Sequence, residues 1–243
     1  MVPSRLPGYS RAVDKYFILR NMLWWSHLSA LGGLNVTALL AIGVTAWLVG
    51  ARCWRLALVW CGVFGGALFV AAASQVAFIG WGIGIRSLSF TGFSGHATRA
   101  AAVFPVALYL LVERASPGLR RGAVVVGGLL AVGVALARVQ VGAHSASEAL
   151  SGCVLGLGAA ALFLARARAA QDCSPQPLLL GLLAATILLP RADPAYSHQW
   201  LTAVALQLSG RDRVYLRNDW QPAQGPYVPP CAPDRLRFAV LCT

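Results

Sequence analysis

Gly92-Phe93-Ser94-Gly95-His96 is a glycine-flanked turn carrying a serine and a histidine between two long apolar runs. Two apolar runs further on, Arg138-Val139-Gln140-Val141-Gly142-Ala143-His144-Ser145-Ala146-Ser147-Glu148 makes a second polar junction. A helix that starts after the first turn presents unpaired backbone N–H groups and a positive dipole end, so Ser94 and Gly95 suit an anion. Arg86, eight residues before Ser94, and Arg138, six before His144, add fork-shaped cationic donors that match phosphate oxygens. Two histidines can divide the labour of phosphoryl transfer. One attacks phosphorus while the other protonates the leaving oxygen and later activates water. Glu148 follows His144 by one helical turn, where a carboxylate holds the imidazole in the tautomer that frees its far nitrogen.

Each residue also has an ordinary role. Histidines near a membrane boundary usually pack at the interface, which is the reading for His27 and His198. An arginine at the end of a span usually snorkels to lipid headgroups, which is the reading for Arg99. The combination of two arginines, two histidines and a carboxylate at two junctions on one side is far less common.

The elements that must position these residues are apolar. Of 243 residues, 58% are hydrophobic and 12% charged, where a soluble domain carries about 25% charged residues. That excess places the chain in a membrane. The formal net charge of +12 comes almost wholly from arginine, with Lys15 the single lysine, and suits anionic headgroups or phosphate. The arginines are scattered singly and in pairs between apolar runs, so nucleic acid is not the expected partner. Six cysteines form no Cys-x-x-Cys pair and show no interleaved histidine, which argues against a structural zinc site, and no metal or cofactor is expected. Cys53, Cys61 and Cys153 read as small apolar fillers. Cys231 and Cys242, eleven positions apart in the tail, would pair in an oxidising compartment or stay as two thiols.

Apolar runs predict an all-α bundle of six transmembrane helices, since about 20 helical residues cross a ~30 Å hydrocarbon layer. The spans are 34–50, 56–80, 97–112, 122–137, 148–165 and a short sixth at 177–190. Residues 1–33 read as an N-terminal interfacial segment, without a removable signal peptide. Residues 34–190 form the transmembrane domain, and 191–243 a polar extramembrane tail in which 199–208 suits one amphipathic helix. Gly152-x-x-x-Gly156 predicts close helix packing. Arg52 and Arg55, then Arg114, Arg120 and Arg121, then Arg166 and Arg168 fall at one end. The positive-inside rule puts that end in the cytoplasm and both histidine junctions outside.

The residues resemble a known family. Phe93-Ser94-Gly95-His96 is similar to the Pro-Ser-Gly-His signature of the type 2 phosphatidic acid phosphatase superfamily. Arg138-x5-His144-x3-Glu148 resembles its Ser-Arg-x5-His-x3-Asp signature. The resemblance covers roughly residues 34–190 and implies a metal-independent phosphatase of lipid phosphates or diphosphates in a bacterial cytoplasmic membrane, its site facing the periplasm or outside. It implies that His144 becomes phosphorylated, that Glu148 orients it and that His96 protonates the leaving group. It further implies phosphate contacts from Arg138, Ser94, Gly95 and Arg86, and a phospholipid or polyprenyl phosphate as partner. Undecaprenyl diphosphate is favoured, ahead of phosphatidylglycerophosphate and lipid A. The chain departs from the family at the first signature, Lys-x6-Arg-Pro, where Ile79 and Ser87 stand in place of lysine and proline, so one phosphate contact is missing or supplied elsewhere, with Arg99 as a candidate. Phe93 replaces proline, Ala137 replaces serine, and Glu148 is one methylene longer than aspartate. Gly92-Phe93-Ser94-Gly95 and Ala143-His144 also resemble rhomboid intramembrane proteases, in which Ser94 would be the nucleophile and His144 its base. That alternative leaves His96, Arg138 and Glu148 without a task. A binding protein derived from the phosphatase fold is the third reading.

Overall fold

The chain folds as helices, in a computed structural model that describes residues 23–167, 194–217 and 220–225. Helix α1 (23–31) is followed by α2 (Leu34–Gly50), α3 (Trp54–Trp81), α4 (Gly95–Leu111), α5 (Pro117–Gln140), α6 (Ala146–Ala167) and α7 (Pro194–Ser209), of which α2 to α6 run alternately up and down. Local signals set several of the boundaries. α3 stops where Gly82 takes the left-handed conformation at φ 70°, and α5 starts on the Ser116 side chain, which accepts from the Leu119 amide, with Pro117 in the first turn.

α4 is the centre of the bundle. Ala97, Ala100, Ala101 and Val103 are wholly buried on it, and α5 and α6 pack along its length. Small residues permit that closeness. A Cβ on Gly152 would come within 2.7 Å of the Ser94 carbonyl oxygen, and one on Gly156 within 2.3 Å of the Thr98 carbonyl oxygen. The predicted Gly152/Gly156 contact is therefore the seam between α6 and α4. Larger side chains fill the far end, where Trp60 stacks on Phe64 and meets Phe163 edge-on at 5.3 Å.

The outward faces are apolar: Leu58, Phe69, Leu129 and Leu150 are each at least 65% exposed. Four stretches are long and apolar enough to cross a membrane: Leu23–Gly50, Trp54–Trp81, Pro117–Gln140 and Ala146–Ala167. The sequence reading of six spans is thus met by four among the described residues. α4, the predicted third span, has 17 residues, about 26 Å of helix, and is enclosed by its neighbours. The predicted sixth span, 177–190, lies outside the described residues, as do 1–22 and both tail cysteines. Residues 23–31, assigned from sequence to a surface helix, instead form with α2 one apolar stretch broken only at Gly32-Gly33. Cys53, read as an apolar filler, is disulfide-bonded.

Alternation of direction gathers the ends. The C-terminal ends of α3 and α5, the N-terminal ends of α4 and α6, and the start of α2 share one end of the bundle. Arg52, Arg55, Arg114, Arg120 and Arg121 lie at the other. There Glu113, between α4 and α5, is pushed above the usual carboxylate range by burial, with Arg114 and Arg120 opposing the shift.

Candidate active site

The two histidine junctions meet. The Ser94 amide donates to the carbonyl oxygen of Glu148 at 3.1 Å, tying the turn before α4 to the first turn of α6. The turn is held from below by α3. Gln75 Nε2 donates to the Phe93 carbonyl at 2.7 Å, and Ser74 Oγ accepts from the Phe93 amide at 3.0 Å. Gly92, at φ 147°, brings its backbone against Gln75, where a Cβ would come within 3.0 Å.

Glu148 is the hub. Its side chain is wholly buried, and donors surround both oxygens. Oε1 accepts from the Thr91 amide at 2.7 Å and from the Thr91 hydroxyl. Oε2 accepts from His144 Nδ1 at 2.9 Å, the Ser145 amide at 3.1 Å and an Arg217 guanidinium nitrogen at 2.7 Å. A carboxylate only accepts, so His144 carries its proton on Nδ1 and leaves the Nε2 lone pair free.

His96 is set the opposite way. An Arg99 guanidinium nitrogen stands 3.4 Å from His96 Nδ1, and guanidinium only donates, so a neutral His96 keeps its proton on Nε2. His96 lies within electrostatic reach of Arg138, Arg99 and His144. Arg138 donates to Ser29 Oγ at 3.0 Å, and Arg99 to the Gly32 carbonyl at 3.3 Å, so the segment before α2 closes this side. The Nε atoms of both arginines are buried without a partner. Arg99 thus turns inward along α4, toward the helix N-terminus, instead of snorkelling to headgroups. Its Nη1 would lie 3.3 Å from a Cβ on Gly95.

The remaining predicted site residues fall as follows. α4 begins at Gly95 with Ser94 extended before it, so a helix does start just after the turn. The Ser94 amide is taken by Glu148, while Ser94 Oγ is buried without a hydrogen bond, and the amides of Gly95 and His96 have no acceptor among the described residues. Arg86 sits exposed on a 3-10 turn (Arg86–Leu88) and makes none of the hydrogen bonds that tie the site together. Sequence reading missed Thr91 and Arg217. Thr91 carried a weak signal, being a polar residue one position from the Gly92 turn. Arg217 carried none.

Arg217 pairs with Glu148, whereas no carboxylate among the described residues pairs with Arg99 or Arg138, which leaves positive charge beside the buried, unpartnered Nε atoms of both. No group of three metal-ligating side chains occurs among the described residues.

The fold and this end of the bundle define a helical membrane protein with a histidine–carboxylate pair near a second histidine and two arginines, Arg99 and Arg138. The chain belongs to the same family as an uncharacterized 22.5 kDa protein in the cps region of Klebsiella pneumoniae. The two are 37% identical over 169 residues, covering 68% of this chain and 81% of that protein. It is also 37% identical over 76 residues to phosphatidylglycerophosphatase B of Bacillus subtilis (strain 168), covering 30% of this chain and 37% of that enzyme. No family model matches the chain, and no solved structure matches it at a significant level.

Proposed function

We propose that this protein is a membrane lipid phosphatase that works through a phosphohistidine on His144. The observation that carries the reading is His144 held by Glu148 with a free Nε2 lone pair, with a second histidine, His96, in electrostatic reach of both His144 and Arg138. Attack of His144 Nε2 forms a P–N bond as the P–O bond to the lipid breaks; His96, protonated to imidazolium once Arg99 turns from its Nδ1 to the bound phosphoryl group, gives its Nε2 proton to the leaving oxygen and becomes neutral. His96 then takes a proton from water, whose oxygen attacks phosphorus, breaks the P–N bond and restores His144. Arg138, Arg99 and the amides at Gly95 and His96 balance the phosphoryl charge, with Ser94 Oγ beside them. Arg99 takes the part of the lysine absent from the first signature, and Arg86, at the rim, is left to meet the headgroup. The partial likeness to a phosphatidylglycerophosphatase supports the phosphatase class. The favoured substrate is undecaprenyl diphosphate, with phosphatidylglycerophosphate and lipid A as the other lipids of this chemistry. The site faces the periplasm, since the arginine-rich end suits the cytoplasm.

The protease reading is weakened by Ser94 Oγ, which has no hydrogen bond and so makes none to His144. The test is inorganic phosphate release from short-chain lipid phosphates by the purified chain without added metal. Wild type is expected to release phosphate and His144→Ala to release none. Fluorophosphonate labelling of Ser94, with activity lost only in Ser94→Ala, would replace the phosphatase by the protease.

A further inference from the structure

We propose that the C-terminal strap after α7 is a working part of this site, and that Arg217 is a positioning residue that fixes the Glu148 carboxylate on His144. The inference rests on the phosphatase reading for its activity assay alone. The strap is anchored to the end of α3 on both sides of Arg217. Before it, the Tyr215 amide donates to the Ile79 carbonyl at 3.0 Å, and Gly82 leaves room for the Tyr215 ring. After it, Trp220 Nε1 donates to the Gly82 carbonyl at 2.8 Å and the indole meets Phe78 edge-on at 4.9 Å. Between the anchors the chain turns back on itself, with the Leu216 amide bonded to the Gln221 carbonyl at 2.9 Å and the Trp220 amide to the Leu216 carbonyl at 3.0 Å.

Arg217 is therefore presented by a pinned backbone to a wholly buried carboxylate oxygen 2.7 Å away, the oxygen that His144 also uses. Most ion pairs at a surface contribute little, because two mobile side chains must be ordered and water screens them. Here the carboxylate is dry and already fixed by Thr91, so the guanidinium meets a partner that needs compensation. The arrangement also accounts for glutamate where the family signature has aspartate. The extra methylene adds a rotatable bond to the lever that orients His144, and Thr91 on Oε1 with Arg217 on Oε2 removes that freedom. Arg217 touches neither histidine in this geometry. It acts through Glu148.

The experiment uses the full chain in detergent, with wild type, Arg217→Ala, Arg217→Lys, Trp220→Ala and the Arg217→Ala/Trp220→Ala double variant. For Arg217→Ala, kcat should fall about 10- to 100-fold, the weight of one charge-assisted hydrogen bond, with KM within about twofold of wild type. Arg217→Lys should recover most of the loss. Trp220→Ala should lower kcat as well, and the double variant should be no slower than Arg217→Ala, because both changes act through one contact. An unchanged kcat in Arg217→Ala, a rise in KM without a fall in kcat, or multiplying losses in the double variant would overturn the proposal. Ring ¹⁵N shifts of His144 read the same contact without turnover. Wild type should show a proton fixed on Nδ1, and Arg217→Ala a mixture of tautomers; identical shifts in the two also defeat it. If wild type releases no phosphate, the phosphatase reading falls while the ¹⁵N shifts still decide the role of Arg217.

Discussion

Replacing Glu148 by glutamine removes one charge from the hub and almost nothing else, so its effect follows from counting donors. Three donors converge on Oε2, namely His144 Nδ1, the Ser145 amide and Arg217, whereas Oε1 meets the Thr91 amide and a hydroxyl that is free to turn and accept. An amide has one accepting end, and the count sends its oxygen to the Oε2 side. His144 then keeps its Nδ1 proton, and the Thr91 amide loses its acceptor. What is lost at His144 is charge, not tautomer. A full charge at the 2.9 Å separation is worth about 6 kcal/mol at an effective dielectric constant near 20. Arg217 on the same oxygen already offsets part of this, and the ring gains only part of a charge as it attacks, so ~2–3 kcal/mol of transition-state stabilisation is expected to go. That corresponds to a fall of roughly 10²-fold in kcat at an almost unchanged KM. Stability should fall by about 1–3 kcal/mol from the stranded Thr91 amide and the weakened bond to Arg217, itself 35% exposed and able to turn to water. Phosphate release with melting of the same preparation measures both. Activity within about threefold of wild type would refute the electrostatic argument. A loss as complete as that of His144→Ala would refute the donor count, because it would mean that the tautomer had inverted.

Three further outcomes follow from the geometry. Ser94→Ala removes a buried hydroxyl without a partner, so phosphate release should persist within about tenfold and melting should not fall; complete inactivation would return the serine to the role of nucleophile. Gly156→Val places a Cβ 2.3 Å from the Thr98 carbonyl oxygen and forces α6 away from α4, at ~1–3 kcal/mol or more, whereas Gly158, with nothing within 4 Å, should accept valine. Equal melting temperatures for the two variants would contradict the seam. Glu113 has its carboxyl raised by burial, so the folded state binds its proton more tightly than the unfolded chain does. Its contribution is therefore most favourable at acid pH and is lost as pH rises through the unfolded and then the folded value. Glu113→Gln should raise the melting temperature at neutral pH and lose that advantage near pH 4; a lower neutral melting temperature would contradict the sign.

The separation of four residues puts Glu148 on the same helix face as His144 whatever surrounds it, and their 2.9 Å contact is a local property that spacing alone predicts. The meeting of the two junctions was legible for a similar reason. An even number of crossings returns the chain to the same end, and apolar runs mark the crossings. Span lengths were less legible, because burial inside the bundle lets α4 make do with 17 residues, while Gly32-Gly33 joins a polar-looking N-terminal segment to α2 as one apolar stretch.

Composition and contacts within a few residues set the apolar fold class, the His144–Glu148 pair and the turn at Ser94-Gly95. Packing between distant elements turns Arg99 toward His96 while Arg86 stays outside, and brings Arg217 to Glu148 from 69 residues away. Both arginines of the first pair end apolar runs and look alike in sequence. Their directions are chosen by what packs above them, the segment before α2 over Arg99 and open solvent over Arg86. A strap residue finds its partner only after two anchors on α3 have fixed its backbone, and no spacing rule encodes that.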